Sequence, residues 1–230
     1  TIKQRTILAS GAVNAACDFT NAFNTIDRNH AMEQLFNHPN LSGLWRMVHA
    51  AYKKPTNMFV KGPGGHVAAV IQSRNGARQG DPSGQTIFCV GVAPVYKEVK
   101  SRHPATDQTA VADDCNISGN FPDVANALIE MKDLGASIGL HLHMGKTHLE
   151  NFNGTQMPSV VEATLNQHGI GASIDTPDHV LRTATTIFGT PFSPSLAVIR
   201  DRAIATARGK YDQFFNAINN PSLTNPVAAS

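Results

Sequence analysis

Residues 12–19, Ala12-Val13-Asn14-Ala15-Ala16-Cys17-Asp18-Phe19, form a short, mostly apolar run that meets a carboxylate near its end. Its length and its lack of a helical face predict a buried strand ending at Asp18. A second stretch, Thr109–Ser118, has two β-compatible arms around Asp113-Asp114 and predicts a hairpin with that acidic pair at its tip. Cys17 and Phe19 flank Asp18, while Val111 and Ala112 precede the pair, so each acid tips an apolar strand. Singly, such residues are ordinary turn and cap chemistry. Two such strands side by side would bring the carboxylates together, and their mutual repulsion then demands a compensating cation. Oxygen ligands with an open water shell suit Mg²⁺. Two such ions roughly 3.5–4 Å apart can activate a hydroxyl and stabilise the leaving oxygen of an in-line phosphoryl displacement.

Outward from these strands, the order of elements is mixed α+β rather than strict βαβ alternation. Asp27 is placed to cap a helix over about Arg28–Phe36, broken before Pro39. Leu44, Met47, Val48 and Ala51 recur at helical spacing and predict a helix around Leu44–Lys53, with Trp45 on its core face. Met58–Ile71, with Gly62-Pro63-Gly64-Gly65 at its centre, reads as a hairpin. Pro82 opens a buried helix over Gly84–Lys100. Pro122 and Asp123 start another, running to about Ile138 and capped by Gly139. Leu140–Leu149 looks extended and Thr185–Phe188 is a short strand. Ser193-Pro194 begins a helix toward Ala217, followed by a polar tail.

The 230 residues are 41% hydrophobic and 16% charged, which fits a folded chain with a real core and argues against bulk disorder. No apolar run approaches the roughly 20 residues that span a bilayer, and residues 1–19 do not read as a secretory signal. Cys17, Cys89 and Cys115 are odd in number and form no CxxC pair, so a disulfide framework or a cysteine-rich zinc knuckle is not expected, and a reducing compartment is. His141, His143 and His148 lie close together, but no Cys or carboxylate completes a zinc site at familiar spacing. The net charge of +2 hides an uneven distribution. Twelve cations and five anions fall in residues 1–105, two and ten in residues 106–180, and five and two in residues 181–230. A basic region beside an acidic one suits carboxylates that hold metal next to cations that neutralise phosphates.

Between the acidic strands lies Arg74-Asn75-Gly76-Ala77-Arg78-Gln79-Gly80-Asp81-Pro82-Ser83-Gly84. Its glycines permit close backbone approach to a ligand, and the helix start that follows favours anions. Five stretches then occur in a telling order: DFTNAFNTIDR from Asp18, GARQGDPSG from Gly76, VADD from Val111, GLHLHMGKT from Gly139 and TIFGTPF from Thr186. Together they resemble the successive motifs of a reverse transcriptase palm, closest to those of non-LTR (LINE-type) retrotransposons. The resemblance implies a polymerase palm, an antiparallel sheet covered by helices on one face. The palm would occupy residues 1–192, a helix over 193–217 would begin a thumb, and 218–230 would be a polar tail, with fingers and thumb largely missing.

Carried over by position, the resemblance implies that Asp18 and Asp113 ligate two Mg²⁺ ions, with Mn²⁺ as a substitute and the Phe19 carbonyl assisting. Asp114 would support the site near the primer end, with a lesser claim to direct ligation. Phe23 would be the steric gate that favours deoxynucleotides. Gln79 and Gly80 would line the incoming nucleotide and template base, with Arg78 nearby, and Lys146 would donate a proton to the departing pyrophosphate. The expected partners are an RNA template, a DNA primer, a dNTP and the remainder of a polyprotein, in the nucleus or cytoplasm and away from membranes. Val111 stands where the family usually carries an aromatic residue, and only seventeen residues precede Asp18, so the chain by itself is expected to lack parts needed to polymerise. Two other readings share these residues: a non-catalytic palm that binds RNA or protein, and an RNA-dependent RNA polymerase, against which Phe23 argues.

Overall fold

A computed structural model describes residues 13–151, 157–170, 185–187, 190–192 and 196–218. In chain order the first part runs β1 (Val13–Cys17), α1 (Ala22–Thr25), α2 (Arg28–Asn37), α3 (Trp45–Tyr52), β2 (Thr56–Lys61) and β3 (Val67–Ser73). Then follow α4 (Gly84–Arg102), β4 (Asp107–Val111), β5 (Asp114–Gly119), α5 (Phe121–Ser137) and β6 (His148–Asn151). The last described elements are α6 (Ser159–Gln167), β7 (Thr185–Ile187), β8 (Thr190–Phe192) and α7 (Leu196–Ile218). The fold is mixed α+β, and all its strand pairings are antiparallel among the described residues.

The main sheet has the order β4-β5-β1-β6. The run that ends at Asp18 is therefore an inner strand, as its apolar composition requires. Val13, Ala15 and Cys17 lie opposite Gly119, Ile117 and Cys115. These alternate positions are buried with Val124, Leu128 and Met131 of α5 and with Ile87, Phe88 and Val99 of α4. The other face of β1 and β5 is polar. Asn14 donates to Asn116 Oδ1 and Glu150 Oε2, both at 3.1 Å, and accepts from Ser118 Oγ at 2.9 Å. All four of these residues are buried, so the network satisfies groups that would otherwise be costly to desolvate and holds β1, β5 and β6 in register.

Local chemistry explains the helix boundaries. The Asp27 carboxylate accepts from the Asn29 and His30 amides at 2.7 and 3.0 Å, the cap expected of it. At α5 the cap is Asn120, whose Oδ1 accepts from the Asp123 amide at 2.9 Å, and Gly139 turns the chain out with φ 81°. The hairpin β2–β3 forms its own two-stranded sheet around the Gly62–Gly65 turn.

Several expectations need correction. In α3 the buried residues are Val48 and Tyr52, whereas Leu44, Met47 and Ala51 are exposed; the stripe facing the core is one residue out of phase with the one read from spacing. Trp45 is half-buried at the edge of the core rather than inside it. Asp114 is the first residue of β5, so the two-residue tip is Ala112-Asp113. The stretch 140–149 is not continuously extended. The Lys146 and Thr147 amides both donate to the His143 carbonyl at 2.9 Å, which closes a turn before β6 begins. The sequence reading missed α6, whose Val161 and Leu165 are buried one helical turn apart, and also β8, the partner of β7. Ser193-Pro194 and, apart from Ile218, the polar tail lie outside the described residues.

Candidate functional site

Strand register brings the acids to one end of the main sheet. Cys17 pairs with Cys115, and one step further along antiparallel strands sets Asp18 abreast of Asp114. By alternation both side chains leave the sheet on the face opposite Cys17 and Cys115. Asp113 occupies the tight turn between β4 and β5, next to Asp114. Their proximity is felt electrostatically: partial burial, then the charge of Asp113, then that of Asp18, raises the pKa of Asp114. Lys146 supplies the cation, with its Nζ 3.3 Å from Asp18 Oδ2. That contact lacks hydrogen-bond geometry, because Asp18 Oδ2 is buried and has no hydrogen-bond partner.

Two clamps fix the carboxylate backbones, and neither was foreseen in the sequence. The turn at residues 143–147 holds Asp18: the His143 amide donates to its carbonyl at 2.8 Å, and its own amide donates to Thr147 Oγ1 at 3.4 Å. Thr147 is fully buried, and a threonine after a lysine carries no sequence signal for this role. Phe19 bridges to Leu142 in the pairing that leaves its own carbonyl out, so that oxygen faces the β5 side, where an assisting ligand is expected. On the other strand, Tyr96 Oη donates to the Ala112 carbonyl at 2.8 Å. Ala112 has φ 54°, a left-handed conformation costly for a residue with a Cβ, and the bond from α4 holds it there beside Asp113.

The glycine segment lies between α1 and α4, and two of its three glycines, Gly76 and Gly84, serve protein contacts. A Cβ on Gly76 would meet the Phe23 and Asn24 carbonyl oxygens, and one on Gly84 would meet the Arg78 carbonyl oxygen. Gly80 has open space around it and needs only its positive φ of 82°. Phe23 sits in α1, half-buried and stacked on Phe88 at 4.4 Å, and its carbonyl accepts from the Ala77 amide at 2.6 Å, which ties the predicted gate to the loop. Gln79 and Gly80 are exposed. Arg78 is engaged by the protein: it donates to the Ala51 carbonyl and Thr56 Oγ1 at 2.9 and 2.6 Å and lies over the Tyr52 ring at 4.3 Å. Its Nε is buried without a partner. Cys89, one and a half turns into α4, has its pKa raised by burial first and by the Asp113 charge last.

The donors present fit a hard divalent cation. They are carboxylates that repel one another, one with a buried oxygen left without a hydrogen bond, and a single lysine beside them. Among the described residues no three His, Cys, Asp or Glu side chains already stand in a metal-holding arrangement, so a bound ion would have to draw the carboxylates inward.

With this geometry in hand, likenesses to known proteins become informative. No family model matches the chain. A 140-residue stretch, 61% of the chain, is 24% identical to the retrotransposable element SLACS 132 kDa protein of Trypanosoma brucei gambiense, of which it spans 12%. Among solved structures, apo telomerase from Candida tropicalis, truncated from its C-terminal domain, superposes with a TM-score of 0.54 at 13% identity, covering 84% of this chain and 37% of that one. These likenesses support a reverse-transcriptase-like domain. The chain corresponds to a minor part of each of these larger proteins. No helix among the described residues is long and apolar enough to cross a membrane.

Proposed function

We propose that this chain is the palm of a retroelement reverse transcriptase of the non-LTR type, which extends a DNA primer on an RNA template. The observation that carries the reading is the meeting of Asp18, Asp113 and Asp114 at one end of an antiparallel sheet, with Lys146 against Asp18. Asp18 and Asp113, with the Phe19 carbonyl, would hold two Mg²⁺ ions, and Mn²⁺ would substitute. When bound, such ions lower the pKa of the primer hydroxyl and stabilise charge on the leaving oxygen. The primer 3′-hydroxyl releases its proton to solvent, its oxygen bonds to the α-phosphorus of the dNTP, the bond from that phosphorus to the bridging oxygen breaks, and pyrophosphate departs. Lys146, 67% exposed at the rim, gives a proton to the pyrophosphate as it leaves. Phe23, braced by Phe88, presents its free side toward the sugar and disfavours a 2′-hydroxyl. Tyr96 and Thr147 hold the backbones that carry the acids.

One rival shares these residues, a palm kept as an RNA- or protein-binding scaffold. Primer extension by the parent polyprotein that contains this chain tests the proposal. Asp113→Asn should lower dNTP incorporation on an RNA template by about a hundred- to a thousandfold, the scale expected when electrostatic stabilisation of the transition state is removed. Extension at a near-normal rate by that variant refutes the assignment. Calorimetric titration of the 230-residue chain with Mg²⁺ separates the scaffold, which needs no metal, and preference for NTPs over dNTPs would move the reading to an RNA polymerase.

A further inference from the structure

We infer that the cleft walled by α2, α3 and the end of β3, whose lining includes none of Asp18, Asp113 and Asp114, is a binding site for single-stranded nucleic acid. The cleft has a volume of about 550 Å³, and its lining includes Arg28, Trp45, His49, Lys53, Lys54 and Arg74. That volume lies within the range of small-ligand pockets and suits one nucleotide at a time of a longer strand.

Charge is the first argument. The lining holds four permanent cations against one carboxylate, Glu33. None of the four is ion-paired among the described residues. Lys53, Lys54 and Arg74 are exposed, and Arg74 donates only to the neutral Gln72 side chain, at 3.0 and 2.7 Å. Arg28 is buried at the cleft wall. Its guanidinium donates to the carbonyls of Gly76, Asn75, Tyr52 and Ser73 and to Ser73 Oγ, every partner being neutral. The bonds satisfy its N–H groups but leave its charge uncompensated. Burial, followed by repulsion from Arg78, lowers its pKa, as such a charge requires. A phosphate chain across the mouth would relieve this field.

The rings are the second argument and narrow the anion to a polynucleotide. Trp45 stacks on His49 with centroids 4.5 Å apart and planes 13° from parallel, and Phe36, itself exposed, meets Trp45 edge-on at 5.3 Å. Aromatic faces beside a row of lysines and an arginine give successive bases something to stack on while their phosphates are neutralised. An acidic peptide would satisfy the cations and leave the rings unused. The inference rests on residues other than those of the proposed polymerase site and stands whether or not that site is active.

Trp45 is the only tryptophan, so it reports on the cleft directly. The 230-residue chain is titrated with a twelve-nucleotide oligouridylate, an oligothymidylate of equal length and a polyglutamate peptide, following tryptophan emission. Saturable quenching by the oligonucleotides is expected, and the preference between the two tells RNA from DNA. Lys53→Glu with Lys54→Glu should weaken binding at least tenfold and reduce the salt dependence, log Kd against log salt, by about 1.4, the share of two phosphate contacts on a single strand. Arg74→Glu, also at an exposed position, serves as a second variant if the first fails to fold, and should weaken binding as well. Asp113→Asn should leave the quenching intact, so that loss of polymerisation and loss of this site are told apart. No quenching by either oligonucleotide, equal quenching by polyglutamate, or an unaltered affinity in the charge-reversed variants overturns the inference.

Discussion

Replacing Tyr96 by Phe removes one oxygen and tests how the turn that carries Asp113 is held. The phenol is partly buried against the core and donates to the Ala112 carbonyl at 2.8 Å. A neutral hydrogen bond of this kind contributes about 1 kcal/mol net, and a carbonyl left dry costs up to about 3 kcal/mol. Ala112 is only half-buried, so water reaches part of the vacated position, and the expected loss on Tyr96→Phe is about 1–2 kcal/mol. The reciprocal substitution, Ala112→Gly, keeps the bond and removes the steric cost of φ 54°, so it should stabilise the chain by about 0.5–1 kcal/mol. Urea denaturation followed by far-UV circular dichroism measures both. Burial, followed by the nearby Cys115, Cys17, Asp113 and Cys89, pushes the Tyr96 pKa far above its usual value. The hydroxyl therefore stays a donor, and the Tyr96→Phe loss should be the same at pH 6 and pH 9. A loss below about 0.3 kcal/mol, a loss that vanishes by pH 9, or destabilisation by Ala112→Gly would refute the account of a strained turn held by one bond.

Two further outcomes follow from the same region. Gly84→Ala sets a Cβ against the backbone oxygen of Arg78 and should cost about 2–3 kcal/mol, whereas Gly80→Ala, with open space and only an unfavourable φ, should cost about 1 kcal/mol; equal midpoints in urea for the two variants would contradict this. Asp114 holds its proton more tightly in the folded chain than in the unfolded one, so its charge opposes folding increasingly as pH rises from the ordinary value of 3.8 through the raised folded value. Asp114→Asn should therefore raise the denaturation midpoint relative to the parent by more at pH 7 than at pH 4, and an equal or reversed difference would show that the three carboxylates do not repel one another in the fold.

What was legible in the sequence was whatever a short segment decides for itself. The apolar run to Asp18 could only be a buried strand, Asp27 had an amide pair waiting two and three residues on, and Gly62-Pro63-Gly64-Gly65 could only reverse the chain. Even the meeting of Asp18 with Asp113 and Asp114 follows once two apolar strands must pair. What stayed hidden depends on residues far apart in sequence. Thr147 reaches back 129 positions to Asp18, and Tyr96 lies sixteen residues before the carbonyl it holds. The glycines of residues 76–84 advertised a ligand, but Gly76 and Gly84 are needed where backbone meets backbone, against Phe23, Asn24 and Arg78. Trp45 shares a helical face with Val48 and Tyr52, yet α3 begins at the margin of the core, so its first turn overhangs and the ring is left to the cleft.

The uneven charge along the chain acquires a physical sense from these positions. The cations of Lys53, Lys54, Arg74 and Arg28 belong to the basic first stretch and gather at one cleft, while Asp113 and Asp114, from the acidic middle stretch, meet Asp18 at the sheet end. Unit charges about 4 Å apart interact by roughly 1 kcal/mol in water and by about 4 kcal/mol at the effective dielectric of a protein surface. A phosphate brought to three carboxylates and one exposed lysine is therefore repelled unless divalent cations reverse the sign, while the same phosphate at the cleft is attracted without help. A strand would be captured first by the cleft, and access of its reacting end to the acids would then depend on metal. The buried Arg28 has no counter-charge in the fold and Asp18 has only the exposed Lys146, so on the proposed reading a nucleic acid would compensate the first and its metal ions the carboxylates.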